Sequence, residues 1–182
     1  MLNQKRVVID FLSPKVNSGE FPIKRVVGEI VDVQAHVLVD GHDVIGASVL
    51  YKHENERAWK EVRMEDRSND EWSASFIVSK QGSYFYRIQG WVDYALNWQH
   101  GIERKIEDGQ KVSSELLEGV TYLNEILKSA NKSESQFIED CLSTFVDTSK
   151  YSQAVEKAIS EQLHNLFVKY PQKMLVNSTE PM

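Results

Sequence analysis

Hydrophobic and polar positions alternate with a period of two through the first half of the chain and recur with a helical period through the second. The clearest alternation is Val31-Asp32-Val33-Gln34-Ala35-His36-Val37. It predicts a half-buried strand with one wet face. Asp40-Gly41-His42-Asp43 follows as a turn, because Gly41 can take a positive φ without steric cost. Further strands are expected at 45–53, 59–64, 72–78 and 84–91, separated by polar breaks at 54–57, at 68–71 and at Gln81-Gly82. With 7–11 and 26–28 added, the pattern amounts to about seven short strands, the signature of an antiparallel β-sandwich. Trp72, Tyr84 and Tyr86 read as core or cross-strand packing residues.

From Trp98 onward the period lengthens. Trp98, Ile102 and Ile106 make one stripe that ends at Gly109, placed as a C-terminal cap. Leu116, Val120, Leu123 and Leu127 make a second. Ser133 stands three residues before Gln136, a capping-box spacing, ahead of Phe137, Ile138, Cys141, Leu142 and Phe145. Val155, Ile159, Leu163, Leu166 and Phe167 form a fourth stripe, stopped by Tyr170-Pro171. Each helix is short and one-sided and would be marginal alone, so the four are expected to pack as a small bundle. The fold class is therefore α+β. A sandwich is expected over 1–95, a helical bundle over 96–171 and an extended tail over 172–182.

Composition narrows the functional classes. The 182 residues carry a net charge of −6, with 41% hydrophobic and 26% charged residues. A chain this long buries roughly 70% of its unfolded surface and needs no disulfide or metal to hold a core. The negative charge argues against nucleic acid as a ligand, and the absence of basic runs argues against a membrane surface. No apolar run approaches the roughly 20 residues that span a bilayer. The N-terminal apolar stretch is interrupted by Asp10 and is followed by no small-residue cleavage site. These features point to a cytoplasmic protein or a cytoplasmic piece of one. The single cysteine, Cys141, reads as a buried, inert thiol.

Reactive constellations are hard to find. His36, His42, His53, His100 and His164 lack the spacing of a zinc pair on one helix. There is no nucleophile elbow, phosphate loop or dinucleotide fingerprint, and no cofactor is expected. Asp40 and Asp43 are explained by turn chemistry, and Glu115 and Glu118 by an exposed helix face. Binding is the class that remains. Trp91 and Asp93 share a strand face with Arg87 and Gln89 if that strand runs without a bulge. An exposed indole there would stack on a sugar ring, making Trp91 and Asp93 candidate glucan contacts. The competing reading packs Trp91 against the helices.

Several motifs look like those of immunoglobulin-like modules attached to enzymes: "W-x-x-V-x-M" at 59–64, "ND-x-W-x-A-x-F" at 69–76 and "G-x-Y-x-Y" at 82–86. A more specific set occurs in order: "RVVI" at 6–9, "FPIKRVVGE" at 21–29, "DGHDVI" at 40–45, "WVD" at 91–93, Trp98, and "GQKVSSELLEG" at 109–119. Together they resemble the N-terminal region of the glucan–maltose-1-phosphate maltosyltransferases of the α-amylase superfamily, which extend α-1,4-glucans from maltose 1-phosphate. The resemblance covers about 6–119 well and rests mainly on helical character from Ala130. It implies an immunoglobulin-like β-sandwich carrying an inserted helical bundle, set before a catalytic barrel and contributing to a homodimer interface. It implies that catalysis belongs to the barrel, so no family catalytic residue is carried onto this chain. It also implies that the chain stops before the strand that closes the sandwich.

The stretch "GEFPIKRVVGE" at 19–29 places two cations and a proline where a strand should start. Pro22 suits a sheet edge, since it has no N–H for a ladder. If residues 23–27 alternate, at least one of Lys24 and Arg25 shares a face with apolar side chains. A solvated edge accounts for this, and so does an interface with a partner subunit or the catalytic barrel. The resemblance favours the interface and nominates Phe21, Lys24, Arg25, His42 and Asp43. Three functions compete: a non-catalytic assembly domain of a maltosyltransferase, an independent α-glucan-binding module, and a generic interaction scaffold.

Overall fold

The computed structural model describes residues 6–17 and 21–182. The first five residues, and the Gly19-Glu20 opening of the segment singled out above, lie outside them. The described chain is α+β, with two antiparallel sheets and five helices. It divides into two compact units, Met1–Val92 with Met174–Met182, and Asp93–Lys173.

The first unit is built from β1 (Val7–Ser13), β2 (Ile30–Val39), β3 (Ile45–His53), β4 (Lys60–Arg63), β5 (Glu65–Asp66), β6 (Glu71–Ile77), β7 (Tyr84–Asp93) and β8 (Lys173–Ser178). One sheet has the order β1-β2-β6-β5 and the other β4-β3-β7-β8. The strict alternation of β2 has the expected consequence. Val31, Val33, Ala35 and Val37 are buried, while Asp32 and Gln34 are exposed. Facing rings knit a sandwich-like core. Phe76 of the first sheet stacks on Tyr51 of the second at 4.3 Å, and Tyr86 lies 5.9 Å from Phe76 and 6.1 Å from Phe11. Full burial of side chains such as Ile88 and Val33 contributes about 1.5–3 kcal/mol each. Trp72 and Tyr86 are core residues as expected. Also as expected, the ring of His53 packs at 5.1 Å against its cross-strand partner, the half-buried Tyr84. Its hydroxyl accepts from the backbone N–H groups of Ser79 (3.1 Å) and Lys80 (3.0 Å) and so closes the β6–β7 turn.

Two expectations about this unit change. No strand forms at 26–28. The Glu29 N–H donates to the Val26 carbonyl at 3.0 Å and Gly28 has φ +96°, the geometry of a turn that needs glycine at its third position. The stretch 172–182 does more than trail as an extended tail. It supplies β8 beside β7, and Thr179 and Met182 continue the pairing to Ile88 and Tyr86. The second sheet therefore has the strand that the sequence reading leaves missing.

The second unit contains α1 (Tyr94–Glu107), α2 (Ser113–Leu127), α3 (Lys132–Val146), α4 (Tyr151–Ala158) and α5 (Glu161–Lys169). It is inserted between β7 and β8, and its two ends are tied by Tyr94 N–H donating to the Gln172 carbonyl at 3.2 Å. Helix α1 starts four residues before Trp98 because Asp93 caps it, accepting from Leu96 N–H at 3.3 Å. The capping box of α3 is Asn131 with Glu134, two residues earlier than the Ser133–Gln136 spacing suggests. The fourth stripe is two helices. Ser160 ends the run from α4 and caps α5, accepting from Leu163 N–H at 3.2 Å. Trp98 is central to this unit. Its indole lies 5.8–6.2 Å from the rings of Tyr122, Phe145 and Phe167, and its N–H donates to the Glu115 carbonyl at 2.6 Å.

Candidate functional site

The segment 21–29 is coil ending in the Val26–Glu29 turn, so no strand alternation distributes Lys24 and Arg25 between two faces. Both cations are exposed. Phe21, Val26, Val27 and the cross-strand pair Ile30–Ile77 are exposed with them, Val26 to 68%. The turn is pinned to the sheet by reciprocal backbone bonds, Gly28 N–H to the Val78 carbonyl at 2.7 Å and Val78 N–H to the Glu29 carbonyl at 3.0 Å. Val26 N–H also donates to the Glu29 carboxylate at 2.8 Å. The pinned backbone thus presents several exposed apolar side chains, close in sequence or across the ladder, beside two positive charges. Scattered exposed apolar residues are ordinary on a surface, but a clustered set marks an interaction site.

Beneath this segment lies a cleft of about 200 Å³, walled by Pro22, Ile23, Val31, Phe76 and Tyr86, with Arg25 beside it. Burial pushes the Tyr86 phenol up to about 12, against the opposing pull of the Arg25 charge. The Tyr86 hydroxyl donates to the Pro14 carbonyl at 3.3 Å. Arg25 donates to the Lys24 carbonyl at 2.8 Å, and among the described residues no carboxylate lies within ion-pair distance of it. The cleft can seat one apolar side chain, with a guanidinium available to a neighbouring acid.

The other nominated residues lie elsewhere. His42 and Asp43 occupy the turn between β2 and β3, while 21–29 precedes the opposite end of β2. Ten residues of strand separate the two groups by roughly 30 Å. His42 is exposed; Asp43 is half-buried and paired to Arg6 at 2.9 Å. The structure does not bring the five residues to one place.

The glucan contacts nominated from the sequence do not present a surface. Trp91 has no exposed area. The Arg63 guanidinium stacks on its indole at 4.4 Å, and Gly46 is its partner across the β3–β7 ladder. A Cβ at Gly46 would stand 2.6 Å from Arg63 Nη2 and 2.8 Å from the indole, so this glycine makes room for the stack. Asp93 is also buried, as the cap of α1. A sugar ring needs an accessible aromatic face, and this indole has none. Trp59 is the more accessible tryptophan. It is half-buried, with Lys52 at 4.9 Å and Arg87 at 4.8 Å from its ring. The sequence places Trp59 in a short strand but does not show that β3 and β7 bring cations to it.

Cys141 is fully buried, and desolvation pushes its thiol up to about 12. Among the described residues no group of three His, Cys, Asp or Glu side chains is placed to hold a metal ion, and no helix is long and apolar enough to cross a membrane.

Comparison with known proteins adds a second line of argument. Residues 5–182 match the family described as alpha-1,4-glucan:maltose-1-phosphate maltosyltransferase, domain N/S. The maltosyltransferase of Chlorobaculum tepidum is 37% identical over 172 residues, which is 94% of this chain and 26% of that protein. That of Methylacidiphilum infernorum is 34% identical over 181 residues, 98% of this chain and 27% of that protein. That of Salinibacter ruber is 35% identical over 143 residues, 77% of this chain and 22% of that protein. The chain spans about a quarter of the length of these curated relatives.

Proposed function

The chain belongs to the alpha-1,4-glucan:maltose-1-phosphate maltosyltransferase domain N/S family, and on that premise we propose that it is a non-catalytic assembly domain of such an enzyme. In this reading the enzyme elongates an α-1,4-glucan from maltose 1-phosphate, and its chemistry belongs to chain beyond this region. The observation that carries the reading is the family match across nearly the whole chain, set against relatives about four times as long. The strand orders support an immunoglobulin-like sandwich. With β1, β2, β3, β6, β7 and β8 taken as strands A, B, C, E, F and G, β1-β2-β6-β5 and β4-β3-β7-β8 follow the A-B-E-D and C-F-G arrangement of such domains. A cytoplasmic location belongs to the same reading.

The contact surface proposed for assembly is the exposed segment Phe21, Lys24, Arg25, Val26 and Val27. Its apolar side chains would be buried against a partner subunit or the catalytic part of the enzyme, with the two cations facing acids there. The test is Phe21→Ala with Lys24→Ala and Arg25→Ala in the full-length enzyme. A dimer dissociation constant raised about tenfold or more, or a matching fall in maltosyl transfer, is the expected result. Unchanged dimerisation and unchanged activity would leave these residues as a solvated edge.

A further inference from the structure

We propose that the outer face of the second sheet, around Trp59, is a docking patch for a segment of a protein partner that carries carboxylates among apolar side chains. This goes beyond the assembly reading and does not depend on it. Tyr51 and Tyr86 are paired across β3 and β7 and turn their rings to Phe76 in the core. Their chain neighbours Lys52, Phe85 and Arg87 therefore stand on the opposite face. Lys52 is directly opposite Phe85, and Arg87 is opposite Leu50, one row along. The β3–β4 register reaches Tyr51 opposite Lys60, which brings Trp59 alongside Lys52. The result is a row of Trp59, Lys52 and Phe85 with Arg87 behind it. Both cations reach the same indole, Lys52 at 4.9 Å and Arg87 at 4.8 Å from the ring. Phe85 is 41% exposed.

The chemistry of the patch is one-sided. Among the described residues, the side chains of Lys52 and Arg87 make no hydrogen bond and have no carboxylate within ion-pair distance; the Trp59 ring is their partner. Contact with a ring face engages the charge but gives the N–H groups no acceptor. Arg87 Nε is buried and unpaired, so nothing beneath the guanidinium offsets its charge. The Trp59 indole N–H has no acceptor among the described residues either. Ammonium, guanidinium and indole all donate, and none accepts. Glu61 is on the same face, opposite Leu50, and its carboxylate accepts from the Ser48 hydroxyl at 2.7 Å. An acceptor-only anion satisfies such a set, and carboxylates are the anions that protein surfaces supply. The aromatic side chains favour a protein segment over a free ion. A small ion would use the donors and leave Phe85 in water, whereas an acid flanked by apolar side chains covers both. Trp, Phe and Arg are also enriched at the centres of protein interfaces. Exposed ion pairs are individually weak, so a short peptide should bind with Kd about 1 mM.

The experiment is a titration of the isotope-labelled chain with the peptide acetyl-Glu-Phe-Glu-Phe-Glu-amide, followed by amide and indole N–H chemical shifts. Saturating shifts centred on the Trp59 indole and on residues 52, 59, 85 and 87 are expected. The analogue with Gln in place of each Glu should need about tenfold more peptide. So should the acidic peptide with Lys52→Met/Arg87→Met, which keeps apolar stems over the ring and removes the charges. Phe85→Ser should weaken binding by a smaller factor. No saturating shift up to about 10 mM, shifts centred elsewhere, equal binding of the two peptides, or undiminished binding in the double variant would overturn the proposal. So would inorganic phosphate binding these residues as tightly as the acidic peptide, which would mark a small-anion site.

Discussion

The side-chain amide of Gln99, on α1, donates to the main-chain oxygen of Ala158 at 3.0 Å, at the break between α4 and α5. The same nitrogen lies 3.4 Å from the Ser160 carbonyl, and Gln99 Oε1 meets His164 Nδ1 at 3.0 Å. Gln99 is 2% exposed. A helix end leaves orphan carbonyls, and a buried one must find a donor. Gln99→Leu keeps the volume and removes the donor. The expected loss is about 1–3 kcal/mol, from leaving buried acceptors unsatisfied. Urea unfolding followed by circular dichroism measures it, and a change within about 0.5 kcal/mol would mean that water serves these carbonyls equally well.

Gly119 of α2 lies against the Trp98 indole so closely that a Cβ would overlap the ring. Alanine in a helix interior is normally favoured over glycine by about 1 kcal/mol. Here Gly119→Ala should be destabilising by about 1–3 kcal/mol, because a rigid ring held by three other aromatic side chains and a 2.6 Å hydrogen bond cannot yield cheaply. The sign of the change in the urea midpoint decides the matter, since propensity and packing predict opposite directions.

Acid should weaken both units through two glutamates. Hydrogen bonds from Lys60 and Lys80 hold Glu56 down from its ordinary 4.5 to about 2. Bonds from Lys169, the Asn131 backbone and Tyr170 do the same for Glu134. A carboxyl lowered in the folded state binds fewer protons there than in the unfolded chain. Its contribution is complete above the ordinary value near 4.5 and is lost as pH falls towards 2. Unfolding midpoints should therefore be level from pH 7 to about 5 and decline between about 4.5 and 2. Lys169→Met should flatten the share of that decline owed to Glu134.

Cys141 should resist modification while the chain is folded. Burial holds its thiol protonated at neutral pH, and the thiolate is the reacting species. Ellman's reagent should react slowly in buffer and at once in denaturant. Equal rates in both would mean that α3 opens readily.

Much of this was legible in the residues. The alternation of β2 and the helical stripes arise because side chains point to opposite faces every second residue in a strand and to one face every three or four in a helix. Those periods identify the elements without knowledge of their neighbours. Boundaries were less legible. Ser133 and Asn131 both suit a helix start, and the backbone reached by each side chain decides between them. The fourth stripe continues across Ser160 because Ile159 and Leu163 keep the helical spacing, although the backbone breaks between them.

The sequence alone determined that the chain is α+β, where the strands over 31–37, 45–53, 72–78 and 84–91 and most of the helical stripes fall, and that its only thiol is buried. These depend on local geometry and on transfer of apolar groups from water. Only the tertiary structure decided that β8 returns to pair with β7 after the helical insertion, that Trp91 is closed off by Arg63, and that Lys52 and Arg87 converge on Trp59. Each depends on which distant strand supplies the neighbour. Register between strands far apart in sequence is set by the packing of the whole core and leaves no mark in the period of any one segment.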